Sequence, residues 1–164
     1  MSFQPINIRD TAHPIKLIAD DWALLSAGTS SHWNTMTISW GGVGEIWGHD
    51  AAFVFVRPQR YTYQLMEQQD YFTVAFGLPR KITALCGKIS GHDGDKITQA
   101  GLTAYVEGDA IFPAEAELVL VCRKLHAQDL DPAGFIDPHI TTHYNGDYHR
   151  MYVGEIVQCL HKII

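Results

Sequence analysis

Residues 53–62 read Phe-Val-Phe-Val-Arg-Pro-Gln-Arg-Tyr-Thr, a stretch that changes from apolar to cationic within ten residues. Its first half consists of branched and aromatic side chains, which favour a β-strand that we place at Ala51–Val56. Thr62 follows as a candidate N-cap, with Leu65 and Met66 continuing a helical spacing. The stretch therefore predicts a strand that runs directly into the start of a helix.

The same junction is a candidate anion site. A helix start presents unpaired backbone N–H groups and the positive end of the helix dipole. Arg57, Arg60 and the hydroxyl of Thr62 could hold a phosphate together with those amides. The residues leave a second interpretation equally open, in which the arginines are solvated or paired with surface carboxylates and Thr62 only caps the helix.

Outward from this junction, short runs rich in branched and aromatic residues recur, bounded by Gly, Asp, Asn or Pro. The predicted strands are Trp22–Ala27, Trp33–Trp40, Ala51–Val56, Tyr71–Phe76, Glu117–Ala127 and Tyr148–Leu160. The predicted helices cover residues 62–70, 79–86 and 93–100, the last with Gly101 as its C-cap. Many short strands with two or three short helices favour a mostly β barrel over a doubly wound sheet, in which strands and helices alternate.

The predicted strand Trp33–Trp40 shows partial alternation. One face is mostly apolar and carries Asn34, Met36, Ile38 and Trp40. The other face is rich in hydroxyls and carries Trp33, Thr35, Thr37 and Ser39.

Length and charge limit the function classes. The 164 residues suit one domain, which we place at 1–164. A formal charge of −6 provides no basic field for a polyanion, so we expect no nucleic acid partner. The N-terminal residues lack the order of a signal peptide, and nowhere do eighteen apolar residues run together. We therefore expect a cytoplasmic protein without a membrane partner.

The cysteines and histidines indicate neither a disulfide framework nor a metal site. Cys86, Cys122 and Cys159 are odd in number and far apart. His139 and His143 have the i, i+4 spacing of two ligands on one helix face, but Pro138 and the Ile-Thr-Thr run favour an extended or turn conformation, and the spacing suggests no third ligand. No serine or cysteine carries a local motif of a hydrolase.

A polar turn with two glycines, Ser90-Gly-His-Asp-Gly-Asp-Lys96, precedes the third predicted helix. Its amides, Ser90 and Lys96 could close over an anion. Loops of this composition are more often plain turns, and this alternative stays open.

Four stretches in the same order resemble the flavin reductase-like domain family, and most closely its flavoredoxin-type members. They are Asn34–Gly41, Phe53–Thr62, Cys86–Lys96 and Gly146–Ile156. The resemblance covers most of the chain from about Trp22 onward, and the order of the four stretches is more specific than any one of them. The chain departs from the family pattern at His92, where an arginine is common. His92 would replace a phosphate contact of that arginine only when protonated.

The resemblance implies a split β-barrel of the FMN-binding type, a homodimer, and a non-covalent FMN at or near the subunit interface. It places Asn34, Thr35, Met36 and Thr37 along the flavin ring. It places Arg57, Arg60, Tyr61 and Thr62 around the ribityl phosphate, with Ser90 and Lys96 completing the pocket.

The implied function is that of a flavoprotein oxidoreductase in electron transfer. The flavin would take electrons from a donor, with NAD(P)H or a redox protein as candidates, and pass them to a soluble acceptor. No side chain need act as an acid or base, and backbone N–H groups near Met36 and Thr37 would tune the ring. The alternative is a non-catalytic flavin-binding electron carrier or ligand-binding module on the same barrel, because a fold does not establish a function.

Overall fold

The computed structural model describes residues 2–6 and 15–163. The strands in this part of the chain are β1 (Ser2–Pro5), β2 (Ala23–Thr29), β3 (His32–Ile38), β4 (Gly41–Ile46), β5 (His49–Val56), β6 (Tyr71–Phe76), β7 (Ala104–Glu107), β8 (Ala110–Pro113), β9 (Leu118–Asp129) and β10 (Arg150–Ile163). The α-helices are α1 (Tyr61–Gln68), α2 (Arg80–Lys88) and α3 (Lys96–Ala100). A π-helical turn, Lys16–Asp20, precedes β2. Within these residues, no helix combines the length and the apolar character needed to cross a membrane.

The main sheet has the strand order β3-β2-β6-β9-β10-β5-β4. Strand β1 pairs with the C-terminal end of β10. All of its pairs are antiparallel. The two end strands, β3 and β4, do not pair with each other, so the curved sheet stays open between them. This arrangement confirms the predicted mostly β fold of the split-barrel type.

The central strands are buried on both faces. In β2, Leu24 and Leu25 are both fully buried, yet they belong to different apolar clusters. Leu25 contributes to the barrel interior with residues such as Met36, Val54, Met66, Phe72 and Tyr152. Leu24 faces the other side, where α2 and the β7–β8 hairpin pack with Ile82, Cys86 and Phe112. Helix α2 and the β7–β8 hairpin therefore cover the outer face of the barrel wall.

Strand β10 approaches the interior closely at Gly154. A β-carbon on this residue would lie 2.5 Å from Cε1 of Phe72 and 2.9 Å from Cβ of Cys122. Only glycine lets the fully buried Phe72 ring pack against the backbone of β10 at this point.

All six predicted strands are present, and Tyr71–Phe76 matches β6 at both ends. The sequence prediction missed β1, β4, β7 and β8. Strand β4 contains three glycines and few branched residues, so its composition resembles a loop. It forms because it pairs with β5 through a two-residue turn, in which Trp47 has φ 56° and Gly48 has φ 77°.

The helix prediction was right about position and wrong about one cap. Helix α2 overlaps its predicted range and ends two residues later, whereas α3 begins three residues later than predicted, with Asp95 as its N-cap. Gly101 adopts the left-handed conformation at φ 66°, as predicted. Helix α1, however, begins at Tyr61, with Arg60 as its N-cap in an extended conformation and no side-chain cap. Thr62 lies inside the first turn and is completely buried. Its predicted capping role was therefore wrong.

Candidate functional site

A cleft of about 180 Å³ lies where β3, β5 and the start of α1 meet. Its lining residues are Met36, Thr37, Ile38, Ser39, Trp40, Phe55, Arg57, Arg60 and His149. Four of these were predicted as site residues: Met36, Thr37, Arg57 and Arg60. The junction between β5 and α1 thus contributes both of its arginines to one concave surface.

Strand β3 sends its side chains in two directions. The hydroxyl of Thr35 is buried among protein atoms: it accepts a hydrogen bond from Ser26 at 2.9 Å and donates one to the backbone oxygen of Leu25 at 3.2 Å. The hydroxyl of Thr37 donates to the backbone oxygen of Thr83 in α2. Thr35 therefore does not reach the cleft with its side chain, whereas Met36 and Thr37 line it.

Arg57 is already engaged with the segment that connects β9 and β10. Its guanidinium donates to Asp147 and, at 2.9 Å, to the backbone oxygen of His143. It also lies over the ring of Tyr144, 5.2 Å from the centroid. Asp147 accepts hydrogen bonds from the backbone of Asn145 and from the side chains of Arg57 and Gln59, which hold its pKa well below its usual range. Arg57 thus carries a local counter-charge.

Arg60 has a different environment. Its guanidinium donates one hydrogen bond, at 3.3 Å, to the backbone oxygen of Gly87, and no carboxylate within residues 2–6 and 15–163 forms an ion pair with it. The backbone N–H groups of Tyr61 and Thr62 likewise have no acceptor in that part of the chain. One side of the helix start therefore combines a cation that lacks a counter-charge with unpaired N–H groups.

Lys96 supplies a second cation beside Arg60. It is 3% exposed, and its Nζ donates to the backbone oxygens of Ile89 at 3.3 Å and Cys86 at 3.5 Å. Burial lowers the pKa of Lys96 to about 8, the Cys86 thiol opposes this shift, and the charge of Arg60 adds to it. Arg60 and Lys96 both bind carbonyls at the C-terminal end of α2, where the helix dipole is negative. Lys96 does not line the cleft itself.

The remaining predicted residues lie at one end of the cleft. The side-chain amide of Asn34 donates to the hydroxyl of Thr62 at 2.7 Å, so both polar groups are satisfied inside the protein. The hydroxyl of Ser90 accepts a hydrogen bond from the backbone N–H of His92 at 3.2 Å. The ring of His92 packs edge-on against Tyr61, with 4.9 Å between centroids.

His149 is a cleft residue that the sequence did not single out. Burial, assisted by the charge of Arg57, lowers its pKa to about 4, so the imidazole is neutral at pH 7. Its Nδ1 lies 2.9 Å from the hydroxyl of Tyr144. Its ring contacts Trp40 and Phe55, at centroid distances of 5.4 and 6.5 Å. In the sequence, His149 differs from other histidines only in that it directly precedes the apolar run of β10. Many surface histidines occupy such a position, so this does not indicate a site residue.

The cysteines offer no reactive thiolate. Cys86, Cys122 and Cys159 are buried and unpaired, and burial raises the pKa of each thiol, that of Cys159 to about 11. His139 and His143 lie in a 3₁₀-helix, Pro138–His143, whose three-residue turn does not align positions i and i+4. Within the described chain, no group of three or more His, Cys, Asp or Glu residues could hold a metal ion.

Solved structures with the same fold come from several organisms. The chain is 17% identical to an FMN-binding domain of a flavin reductases-like enzyme from Shewanella baltica, with a TM-score of 0.68, covering 98% of this chain and 77% of that one. It is 22% identical to a flavoredoxin from Methanosarcina acetivorans, with a TM-score of 0.66, covering 96% and 74%. It is 14% identical to a Streptomyces globisporus NADH:FAD oxidoreductase bound to NAD and FAD fragments, with a TM-score of 0.62, covering 87% and 74%.

At such low sequence identities, the similarity to these solved structures establishes the fold of the chain and nothing beyond it. A search of curated proteins finds no match. The family model described as Flavin reductase like domain matches residues 16–162, which is nearly the whole chain. The chain therefore belongs to the flavin reductase like domain family.

Proposed function

We propose that the cleft binds FMN without a covalent bond and that the protein works as a flavoprotein oxidoreductase. The observation that carries this proposal is the start of α1, where Arg60 lacks a carboxylate partner among the described residues and two backbone N–H groups lack an acceptor. The buried Lys96 adds a second positive charge beside Arg60, although it does not line the cleft. A phosphate is the group that this combination fits. The family and the FMN-binding relative of the same fold support the choice of flavin.

The rest of the cleft suits a planar, mostly uncharged ring. Met36, Trp40 and Phe55 provide apolar and aromatic surface, and His149 adds a neutral imidazole. Strand β3 is an end strand of the sheet, so no strand of the described residues pairs with one edge of its backbone near Met36 and Thr37. We place the ring along this edge, where backbone N–H groups would favour the more negative, reduced form of the flavin.

The bound flavin would supply the redox chemistry, taking electrons from a donor and passing them to a soluble acceptor. The chain's own residues bind and orient it: Arg60 and the helix start hold the phosphate, and Met36 and Phe55 flank the ring. NADH is the donor to test first, since a relative of the same fold is an NADH:FAD oxidoreductase. The buried, unpaired thiols are compatible with our proposal of a reducing, cytoplasmic location.

We further propose a homodimer, because the cleft of about 180 Å³ is smaller than the roughly 300–1,000 Å³ of typical ligand pockets. A second surface would have to cover the part of the flavin that this chain leaves open. Trp40, at 46% exposure on the rim of the cleft, is the candidate contact. Light scattering should give about twice the 18.4 kDa chain mass, whereas a monomer that binds FMN tightly would contradict the dimer.

The decisive test of function is spectroscopic. The purified protein, reconstituted with FMN if necessary, should be yellow, and anaerobic addition of NADH or NADPH should bleach the flavin absorption. A yellow protein that no pyridine nucleotide bleaches would instead favour an electron carrier reduced by another protein. A protein that takes up no flavin under any reconstitution condition would overturn the proposal.

A further inference from the structure

A second cavity, of about 440 Å³, lies where the β2–β3 hairpin, the C-terminal end of α1 and the β7–β8 hairpin meet. It is lined by residues 28–30, 68–71 and 108–111, together with Val106. Its volume falls within the roughly 300–1,000 Å³ of typical ligand pockets. It shares no lining residue with the cleft, so the flavin proposed above does not account for it. We call it the hairpin cavity.

Two tight turns form opposite walls of the hairpin cavity. Both hairpins have two-residue turns, Ser30-Ser31 and Gly108-Asp109. A β-carbon on Gly28, which has φ 131°, would lie 2.3 Å from the backbone oxygen of His32, so only glycine lets the first hairpin close at this point. Short turns with fixed strand pairing hold these walls in place before a ligand binds, which lowers the entropic cost of binding.

The inner part of the lining is apolar. Ala110 and Ile111 are 3% and 2% exposed. The hydroxyl of Thr73 donates a hydrogen bond of 2.8 Å to the backbone oxygen of Ile111, which fastens the β7–β8 hairpin to β6. Tyr71 is half-buried and packs against the same apolar cluster as Ala110. The cavity therefore offers a ligand an apolar surface that includes an aromatic side chain.

The outer part of the lining is polar, and most of its side chains have no partner in the protein. Within residues 2–6 and 15–163, no hydrogen bond or ion pair engages the side chains of Ser30, Gln68, Gln69, Asp70, Tyr71 and Asp109. Lys124, whose charge interacts with Asp70, donates to the backbone oxygen of Met66 and does not line the cavity. No lysine, arginine or histidine occurs among the described residues that do.

The mixture of hydrogen-bond donors and acceptors decides which ligand chemistry fits. Carboxylates only accept, whereas hydroxyls and side-chain amides both donate and accept. An anion would meet two carboxylates and no cation in this lining. An ammonium group, which only donates, would leave the amide and hydroxyl donors without an acceptor. A ligand hydroxyl does both, so it can pair with every polar side chain here.

We propose that the hairpin cavity binds a sugar, a neutral ligand with several adjacent hydroxyl groups, independently of the flavin. The carboxylates of Asp70 and Asp109 accept hydrogen bonds from its hydroxyls, and the amides of Gln68 and Gln69 pair with the others. Its C–H groups pack on the apolar inner surface, where Tyr71 lies. A monosaccharide held in this way should have a Kd of about 1–10 mM, which is typical of so small a ligand.

The test is a titration with D-glucose, D-galactose and D-ribose, followed by saturation-transfer difference NMR. At least one sugar should bind the parent, with the same Kd in the presence and absence of excess FMN. Asp70→Asn and Asp109→Asn should each weaken this binding about fivefold or more, because a charge-assisted acceptor is lost. The matched control is Glu45→Gln, the same change of charge at an exposed position on β4 outside the lining, which should keep the parent Kd.

Four results would overturn the inference. They are binding of none of the three sugars, loss of the sugar signal when FMN is added, an unchanged Kd in both aspartate variants, and binding of putrescine, a diamine probe, in place of the sugars. Loss of the signal on adding FMN would place the sugar in the cleft. Circular dichroism checks that each variant is folded. If the folded protein takes up no FMN, the proposed function fails while sugar binding can still be measured, so the two failures are distinguishable.

Discussion

The two ends of helix α1 differ in whether a charged side chain there has an oppositely charged partner. At its N-terminal end, Arg60 donates only to a backbone carbonyl and the first N–H groups have no acceptor within the described chain. At its C-terminal end, Glu67 receives a hydrogen bond of 2.6 Å from Tyr152 and lies 3.2 Å from Nε of Arg150. Arg150 also pairs with Asp129 at 2.8 Å. Among the described residues, Arg60 therefore has no carboxylate partner, whereas Glu67 is paired with Arg150.

This difference distinguishes a binding end from a structural end. Charged groups that are paired within the protein stabilise the fold or leave its stability unchanged. Because their charge is already compensated, they attract a charged ligand only weakly. A partly buried cation with no counter-charge is unfavourable in the free protein and becomes favourable when an anion binds. We therefore expect substitutions at the N-terminal end to change flavin affinity and substitutions at the C-terminal end to change stability.

The largest expected effect is that of Arg60→Ala. Loss of a charge-assisted contact should weaken FMN binding by about 1.5–3 kcal/mol, or roughly ten- to a hundredfold. Arg57→Ala is the matched comparison. It should weaken FMN binding less than Arg60→Ala does, because Arg57 is already paired with Asp147. Riboflavin, which lacks the phosphate, should hardly respond to Arg60→Ala. Flavin titrations of both variants measure these affinities. If Arg57→Ala lost more FMN affinity than Arg60→Ala, our assignment of Arg60 as the phosphate ligand would be reversed.

A second expected effect is a pH dependence of stability that comes from Lys96. Burial lowers its pKa from 10.5 to about 8, so between these values the unfolded chain binds more protons than the folded one. Stability should therefore rise with pH in this window, by at most about 1.4 kcal/mol per pH unit for one proton.

Urea unfolding of the flavin-free protein across this pH range would measure the effect. The parent should gain stability relative to Lys96→Met as the pH rises. Lys81→Met, at an exposed position on α2, is the control and should follow the parent profile. If the unfolding free energy of Lys96→Met changed with pH in the same way as that of the parent, Lys96 would have the same pKa in the folded and the unfolded chain.

A smaller effect is expected at the C-terminal end of α1. Tyr152→Phe removes the hydroxyl that donates to Glu67 and should lower the free energy of unfolding by about 1 kcal/mol. FMN affinity should stay within about twofold, since the site lies at the other end of the helix. The measurements are chemical denaturation and flavin titration, and a tenfold loss of affinity without a loss of stability would place Tyr152 in the binding machinery.

The smallest expected effect is that of Cys86→Ala. Cys86 lies on the side of α2 that packs against the sheet, and burial raises the pKa of its thiol, so it is a poor nucleophile. FMN affinity and any NADH-dependent bleaching should stay within about twofold of the parent. If the folded, yellow variant lost its activity, a thiol would take part in electron transfer.

Much of this molecule could be predicted from its sequence, because the relevant signals are local. Runs of branched and aromatic residues located all the central strands, and Gly101 ended α3 as predicted. The change from apolar to cationic residues in 53–62 located the strand-to-helix junction that now lines the cleft. These features depend on residues within one or two turns of each other, where intrinsic preferences and periodicity dominate.

The state of each site residue was decided only by the tertiary structure. The sequence offered Arg57 and Arg60 as equivalent cations, but Asp147, ninety positions away, pairs with Arg57 and leaves Arg60 without a carboxylate partner in the described chain. The sequence also indicated Thr62 as an N-cap. In the structure its hydroxyl instead accepts a hydrogen bond from Asn34, which lies 28 positions earlier in β3. Sheet register and the path of long connections determine such pairings. Because distant side chains compete for the same polar groups, local preference could not predict which ones stay available for a ligand.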